Sequence, residues 1–298
     1  MSGLFPSLSR EGQVPEGVGA PADVRLALPA RPQNVAVVRQ ALAGMADALD
    51  VDVALAADMK IAVTEACTNA VLHAYDTGDG PLEVDMRVEG PRLTISVRDR
   101  GPGFKPLPAS QDEAPLGFGL ALIASLADAF AIQGGAAGTE VLMTFDLGPD
   151  MSDGAPPPGE SQLREHRPHP PAEGVLLKVA RGPLVTPVLG RVVSLLAARA
   201  DFSIDRLSDA QIVSDALAQH AGPHTIDGFV GVRIDEGERA LEVRIGPLAD
   251  GGGDAVVAAS ELPGLGKLIP RLASDVEVEP VGDQQAAEVL RLRLDDQN

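Results

Sequence analysis

EACTNAVLHAY (65–75), DRGPGF (99–104) and GFGLALI (117–123) decide how this chain reads. In the first, Glu65, Asn69 and His73 recur every four residues, which on a helix stacks them along one face. In the second, Asp99 closes an alternating run. Period-2 spacing puts it on the side of Leu93, Ile95 and Val97, the side expected to be buried. Gly101 and Gly103 follow, and Gly117 and Gly119 form a second glycine-rich turn. A helix face with a carboxylate and an amide, a buried Asp and two glycine turns together compose a plausible nucleotide site.

Outward from these segments the elements are legible. VRLAL (24–28) reads as a strand. A helix is expected from Asn34 to about Leu49, with Val35, Val38, Leu42 and Met45 at helical spacing. A longer helix covers roughly Val53 to Ala74, its apolar stripe being Leu55, Met59, Val63, Ala66, Cys67, Ala70 and Val71. Leu82, Val84, Met86 and Val88 mark a strand, paired through a turn at 90–92 with Leu93, Ile95 and Val97. Val141, Met143, Phe145 and Leu147 mark another, and LALIASLAD (120–128) a further helix. Strands with one apolar face need helices on that face only, so the expected class is α+β, a two-layer α/β sandwich.

Residues 1–22 read as a flexible tail and 149–173, rich in Pro and Gly, as a linker. His166 and His169 in that linker read as solvated residues. The remaining blocks, 23–148 and 174–298, form two domains. ADFSIDRLSDAQIVSDALAQHA (200–221) resembles residues 46–70 and sets Asp215 on Glu65 and Gln219 on Asn69. FVGVRID, ALEVRIG, GLGKLIPRLASD and VLRLRLD then echo the strand, strand, loop–helix and strand of the first block. The chain is therefore expected to be duplicated in tandem. The second copy looks degenerate: Gln219 replaces Asn69, and Gly246 and Pro247 stand where the first has Arg98 and Asp99.

The formal net charge is −19 and no basic patch interrupts it, which disfavours direct nucleic-acid binding and favours a basic protein partner. The single Cys67 excludes an intramolecular disulfide and reads as core packing. No secretion signal and no run of about 20 apolar residues is seen, so a cytoplasmic location away from membranes is expected.

Each site residue carries a chemical expectation beside a plainer one. A buried Asp99 needs donors, and an exocyclic adenine amine is one; it could equally cap a turn. Asn69 can lend a neutral oxygen to Mg²⁺, and Glu65, one turn earlier, can take a proton from a hydroxyl attacking a γ-phosphate; both also suit a solvated helix face. GFGLALI places free N–H groups before a helix, where phosphate binds. PLPASQDEAPLG (106–117) is long enough for a lid.

In this order and spacing the segments resemble the N, G1 and G2 boxes of the GHKL (Bergerat-fold) ATPase superfamily. Within it they look like the bacterial anti-sigma-factor serine/threonine kinases. GTEVLMTF (138–145) and ARPQNVAVVRQAL (30–42) fit as well. The resemblance covers about 24–147 and implies ATP and Mg²⁺ as cofactors. It implies Glu65 as general base, Asn69 as metal ligand and Asp99 as adenine reader. Gly101, Gly103, Gly117 and Gly119 would shape pocket and lid, and Thr139 the adenine end. Arg39 would engage the protein partner. The implied activity is a protein kinase that binds a sigma factor and phosphorylates a small anti-sigma antagonist. Phe118 departs from the pattern, standing where many relatives carry a basic residue. Two alternatives stay open: a nucleotide-gated binding module without catalysis, and a split histidine-kinase catalytic domain. A homodimer, or a pseudo-dimer through the second domain, is also left open.

Overall fold

The structure, a computed structural model, describes residues 22–75, 80–102, 118–135, 137–148, 172–281 and 287–296. The first half runs β1 (Val24–Pro29), α1 (Pro32–Ala48), α2 (Val53–His73), β2 (Pro81–Glu89), β3 (Arg92–Asp99), α3 (Phe118–Leu126), β4 (Ala129–Gly135) and β5 (Gly138–Asp146). The second runs β6 (Val175–Ala180), α4 (Val185–Arg199), α5 (Ile204–Ala221), β7 (Phe229–Gly237), β8 (Ala240–Ala249) and α6 (Gly252–Ala259). It continues with the short hairpin β9 (Glu261–Leu262) and β10 (Gly266–Lys267), then α7 (Leu268–Leu272), β11 (Asp275–Pro280) and β12 (Ala287–Asp295).

Ten strands make one antiparallel sheet in the order β11-β12-β8-β7-β6-β1-β2-β3-β5-β4. Helices cover one face. There Leu26, Leu28, Val84, Met86, Ile95 and Met143 meet Val38, Leu42, Met45, Met59 and Val63 in a core that continues into the second half. Truncating one of these to Ala costs about 2–5 kcal/mol. The other face is charged. Arg25 Nε and Arg98 Nη1 each donate to Asp85 at 2.8 Å, and Arg98 Nε donates to Glu140 at 2.7 Å. The two-layer α+β class follows directly from this division.

Local chemistry sets the helix boundaries. Asp52 caps α2, its Oδ1 accepting from Ala54 and Leu55 N–H at 2.9 and 3.3 Å, a cap worth about 1 kcal/mol. Pro at the first turn of α1 supplies a preset φ where no N–H partner is needed. One strand was not expected: β4 follows directly on α3. AFAIQGG lacks a β-branched alternation and lies at the sheet edge, so the ladder with β5 rather than its own side chains defines it.

The two halves repeat one plan. Within the sheet, β1-β2-β3-β5-β4 is matched by β6-β7-β8-β12-β11. Asp128 N–H donates to Thr144 O and Asp128 Oδ2 accepts from Asp146 N–H. Ser274 N–H donates to Arg293 O and Ser274 Oγ accepts from Asp295 N–H. Two non-glycine residues with positive φ, Asp50 at 49° and Asp201 at 56°, end α1 and α4 alike. The halves meet where β1 pairs with β6 antiparallel, Leu26 facing Leu177, and where α1 crosses α4. Gly44 permits that crossing, since a Cβ there would lie 2.5 Å from Pro187 O.

This plan corrects the register read from sequence by one residue. The buried stripe Met59, Ala62, Val63, Ala66, Cys67 and Ala70 matches Ala210, Val213, Ser214, Leu217, Ala218 and Ala221. Ala216 therefore stands at the place of Glu65 and His220 at that of Asn69. Asp215 matches Thr64 instead; it is exposed and accepts from Gln211 Nε2 at 3.0 Å. The strand register keeps Pro247 at the place of Asp99.

Candidate functional site

The site lies along α2. Glu65 and Asn69 occupy successive turns of its half-buried flank. The start of α3 is pressed against them: a Cβ on Gly119 would lie 2.9 Å from Glu65 Oε2 and 3.7 Å from Asn69 Oδ1. A side chain at 119 would displace the Glu65 carboxylate, so Gly119 lets the first turn of α3 lie close to it. His73, on the same spacing, is exposed. Cys67 faces the opposite way; it is fully buried and burial pushes its thiol up to about 12, which leaves it inert as a nucleophile.

Asp99 terminates β3 and is 8% exposed. Its Oδ1 accepts from Gly101 N–H at 2.9 Å and from Thr139 N–H at 3.2 Å. Two backbone donors hold the carboxylate, and both converge on one oxygen. Oδ2 has no hydrogen bond among the described residues, so it is the atom that can face a ligand. Thr139 acts here through its backbone. Gly138, at φ 122°, is required beside it because a Cβ would overlap Asp99 O. Gly101 is required because a Cβ would overlap Ala74 O at the end of α2. The Asp99 turn is thereby fastened about 13 Å along the helix axis from Glu65, with Asn69 between.

Tyr75 secures this junction and was not singled out from the sequence. Its hydroxyl donates to Pro81 O at 2.6 Å and accepts from Arg100 N–H at 2.8 Å, tying α2, β2 and the residue after Asp99 together. Burial pushes its phenol upward, so it keeps its proton. Its place at the end of EACTNAVLHAY was the available signal.

Arg39 is exposed on α1 and forms no ion pair among the described residues. Gly103, Gly117, the lid segment 106–117, His166 and His169 lie outside the described residues. No group of three or more His, Cys, Asp or Glu suited to a metal occurs among the described residues. No helix of the described residues is long and apolar enough to cross a membrane.

Residues 28–145, which hold Arg39, Glu65, Asn69, Asp99, Gly119 and Thr139, match the histidine kinase-like ATPase domain family. The chain is similar to the serine-protein kinase RsbW of Bacillus pumilus, 34% identical over 145 residues, covering 44% of this chain and 89% of the relative. It is similar to RsbW of Bacillus subtilis at 33% over 143 residues, with the same coverages. Among solved structures, the RsbU and RsbW domains of Rv1364c from Mycobacterium tuberculosis match at 28% identity and a TM-score of 0.33, over 41% of this chain and 32% of that one. With a third of the aligned residues identical over nearly the whole length of such relatives, the chain belongs to the RsbW family of serine-protein kinases, built on a histidine kinase-like ATPase domain.

Proposed function

We propose that the first half is an ATP-dependent protein serine/threonine kinase and that it acts as an anti-sigma regulatory factor. It binds a sigma factor and phosphorylates a small antagonist protein. The observation that carries the reading is the meeting of Glu65, Asn69 and Gly119 on one flank of α2, with Asp99 gripped at the end of the same helix.

An extended nucleotide fits this layout. Asp99 Oδ2 accepts from the exocyclic amine of adenine, with the turn at Gly101 against the base and Thr139 N–H steadying the carboxylate. The phosphates lie toward Gly119 in the first turn of α3, where helix N–H groups point outward. A lone amide is a sufficient protein ligand for Mg²⁺, which keeps waters and takes phosphate oxygens, so the donor set fits that ion with Asn69 Oδ1 as its contact. Bound there, Mg²⁺ would neutralise charge on the transferring phosphate. Glu65 then accepts the proton of the attacking serine or threonine hydroxyl. Arg39 offers an exposed cation to the protein partner. The acidic surface favours a basic partner and repels nucleic acid. A cytoplasmic location suits the partners.

We also read 174–298 as a degenerate copy of 23–148. The β1–β6 pairing would then make the chain a pseudo-dimer of one competent and one incompetent half.

The test is capture of partners from native lysate in Mg-ATP and in Mg-ADP, followed by transfer from labelled ATP. Acid-stable phosphoserine or phosphothreonine on the captured antagonist, lost with Glu65→Ala while ATP binding persists, supports the kinase. Acid-labile phosphohistidine would point to the split histidine kinase, and nucleotide-dependent capture without transfer to the gated binding module.

A further inference from the structure

The second half holds a feature that its degenerate sequence alone does not demand. In the first half, α2, α3, β3 and β5 frame the candidate nucleotide site. Their counterparts α5, α7, β8 and β12 frame α6. Val256 on α6 is fully buried, and so is Ile269 on α7, which matches Ile123 on α3. The first-half segment at the same place in the chain, 103–117, lies outside the described residues.

α6 is pinned by a carboxylate of the site itself. Glu288 in β12 stands where Thr139 stands in β5. Its Oε1 accepts from Gly251 N–H at 3.1 Å and its Oε2 from Gly253 N–H at 3.1 Å. An anion at a helix N-terminus satisfies free donors and the helix dipole. The glycine run makes the fit possible. Gly251 has φ 73°, and a Cβ on Gly253 would lie 2.8 Å from Val278 Cγ1. A Cβ on Gly252 would lie 3.2 Å from His224 Cβ. Asp250 and Gly252 thus build a turn into α6 rather than a displaced copy of the Asp99 motif.

We propose that α6, capped by Glu288, is a resident occupant of the second half's cleft, so that the chain takes one ATP and its second half is a permanently nucleotide-free counterpart subunit. This rests on the reading of the first half as the ATP site only for the count of one.

Two measurements on the full chain test it. Titration with Mg-AMP-PNP should give one site per chain, weakened about 10–100-fold by Asp99→Asn. Two sites, or one whose affinity Asp99→Asn leaves unchanged, would overturn the proposal. If the wild-type chain bound none, the ATP reading of the first half would fail, and closure would be decided by hydrogen exchange. There, the α6 amides of wild type should be protected as strongly as those of α5. Glu288→Ala should speed exchange across 251–256 by about tenfold, the loss of one helix cap, without changing exchange in α2. An α6 that exchanges like an open loop in wild type, or that is indifferent to Glu288→Ala, would overturn it.

Discussion

Thr139 in β5 gives its N–H to Asp99, while Glu288 at the matching place in β12 sends its carboxylate to the start of α6. The same comparison holds around the rest of the site. Glu65 faces Ala216 across the repeat, Asn69 faces His220, Asp99 faces Pro247 and Arg39 faces Gly190. Away from the site the halves agree even in single hydrogen bonds, as at Asp128 and Ser274. Exposed residues agree too: Val53 and Ile204 open α2 and α5 at 84% and 82% exposure. A scaffold tolerates divergence wherever its core and ladder are kept, because the function sits in side chains grafted on it. The two halves thus differ at the positions to which the proposed function gives chemical roles.

On the proposed function, breaking the first half should have the largest effects. Glu65→Ala is expected to lower phosphate transfer by about 10²–10⁴-fold, the usual worth of a general base. ATP affinity, read by titration, should change little. Asp215→Ala, the carboxylate that the sequence alone aligned with Glu65, should leave transfer within about twofold, since it lies off the site. Asp99→Asn should weaken ATP by about 10–100-fold through loss of a charged acceptor. Binding that is unchanged in that variant would detach Asp99 from the base.

The charged sheet faces give a smaller contrast in stability. Burial alone would raise the Asp85 carboxyl, but Arg25 and Arg98 together hold it below the usual carboxylate value near 3.8. A depressed folded value contributes stability above the unfolded one and loses it as pH falls through the folded one. Asp85→Asn should therefore cost about 1–3 kcal/mol in urea melts at pH 7, and the gap to wild type should shrink below about pH 4. Asp235, with a more exposed side chain against Arg233 and Arg244, should cost less than about 1 kcal/mol as Asn.

Much of this was legible in the sequence, and the failures have physical reasons. Period-2 and helical spacing placed β1, β2, β3, β5, α1 and α2, because each has one buried face of aliphatic residues. β4 was not legible, since an edge strand of Ala and Gly is specified by its neighbour. The proposed tandem copy was aligned from sequence one residue away from the register that the shared strand order and helix burial support. α2 and α5 are both rich in Ala, and only burial and the positive-φ residues Asp50 and Asp201 fix the match. α6 was hidden because ADGGGDAVVAAS (249–260) reads as a glycine loop. Its helicity depends on Glu288, 35 residues beyond Gly253. At the site, spacing placed Glu65 and Asn69 together, whereas the approach of Gly119 and the clamp by Tyr75 required the fold.

The claim that one half handles nucleotide and the other does not is tested most directly by photo-crosslinking the full chain with 8-azido-ATP and Mg²⁺ and mapping the labelled peptides by mass spectrometry. The account predicts label confined to peptides within 65–145 and strongly reduced by Asp99→Asn. Label on peptides from α5, β8 or β12 would contradict it.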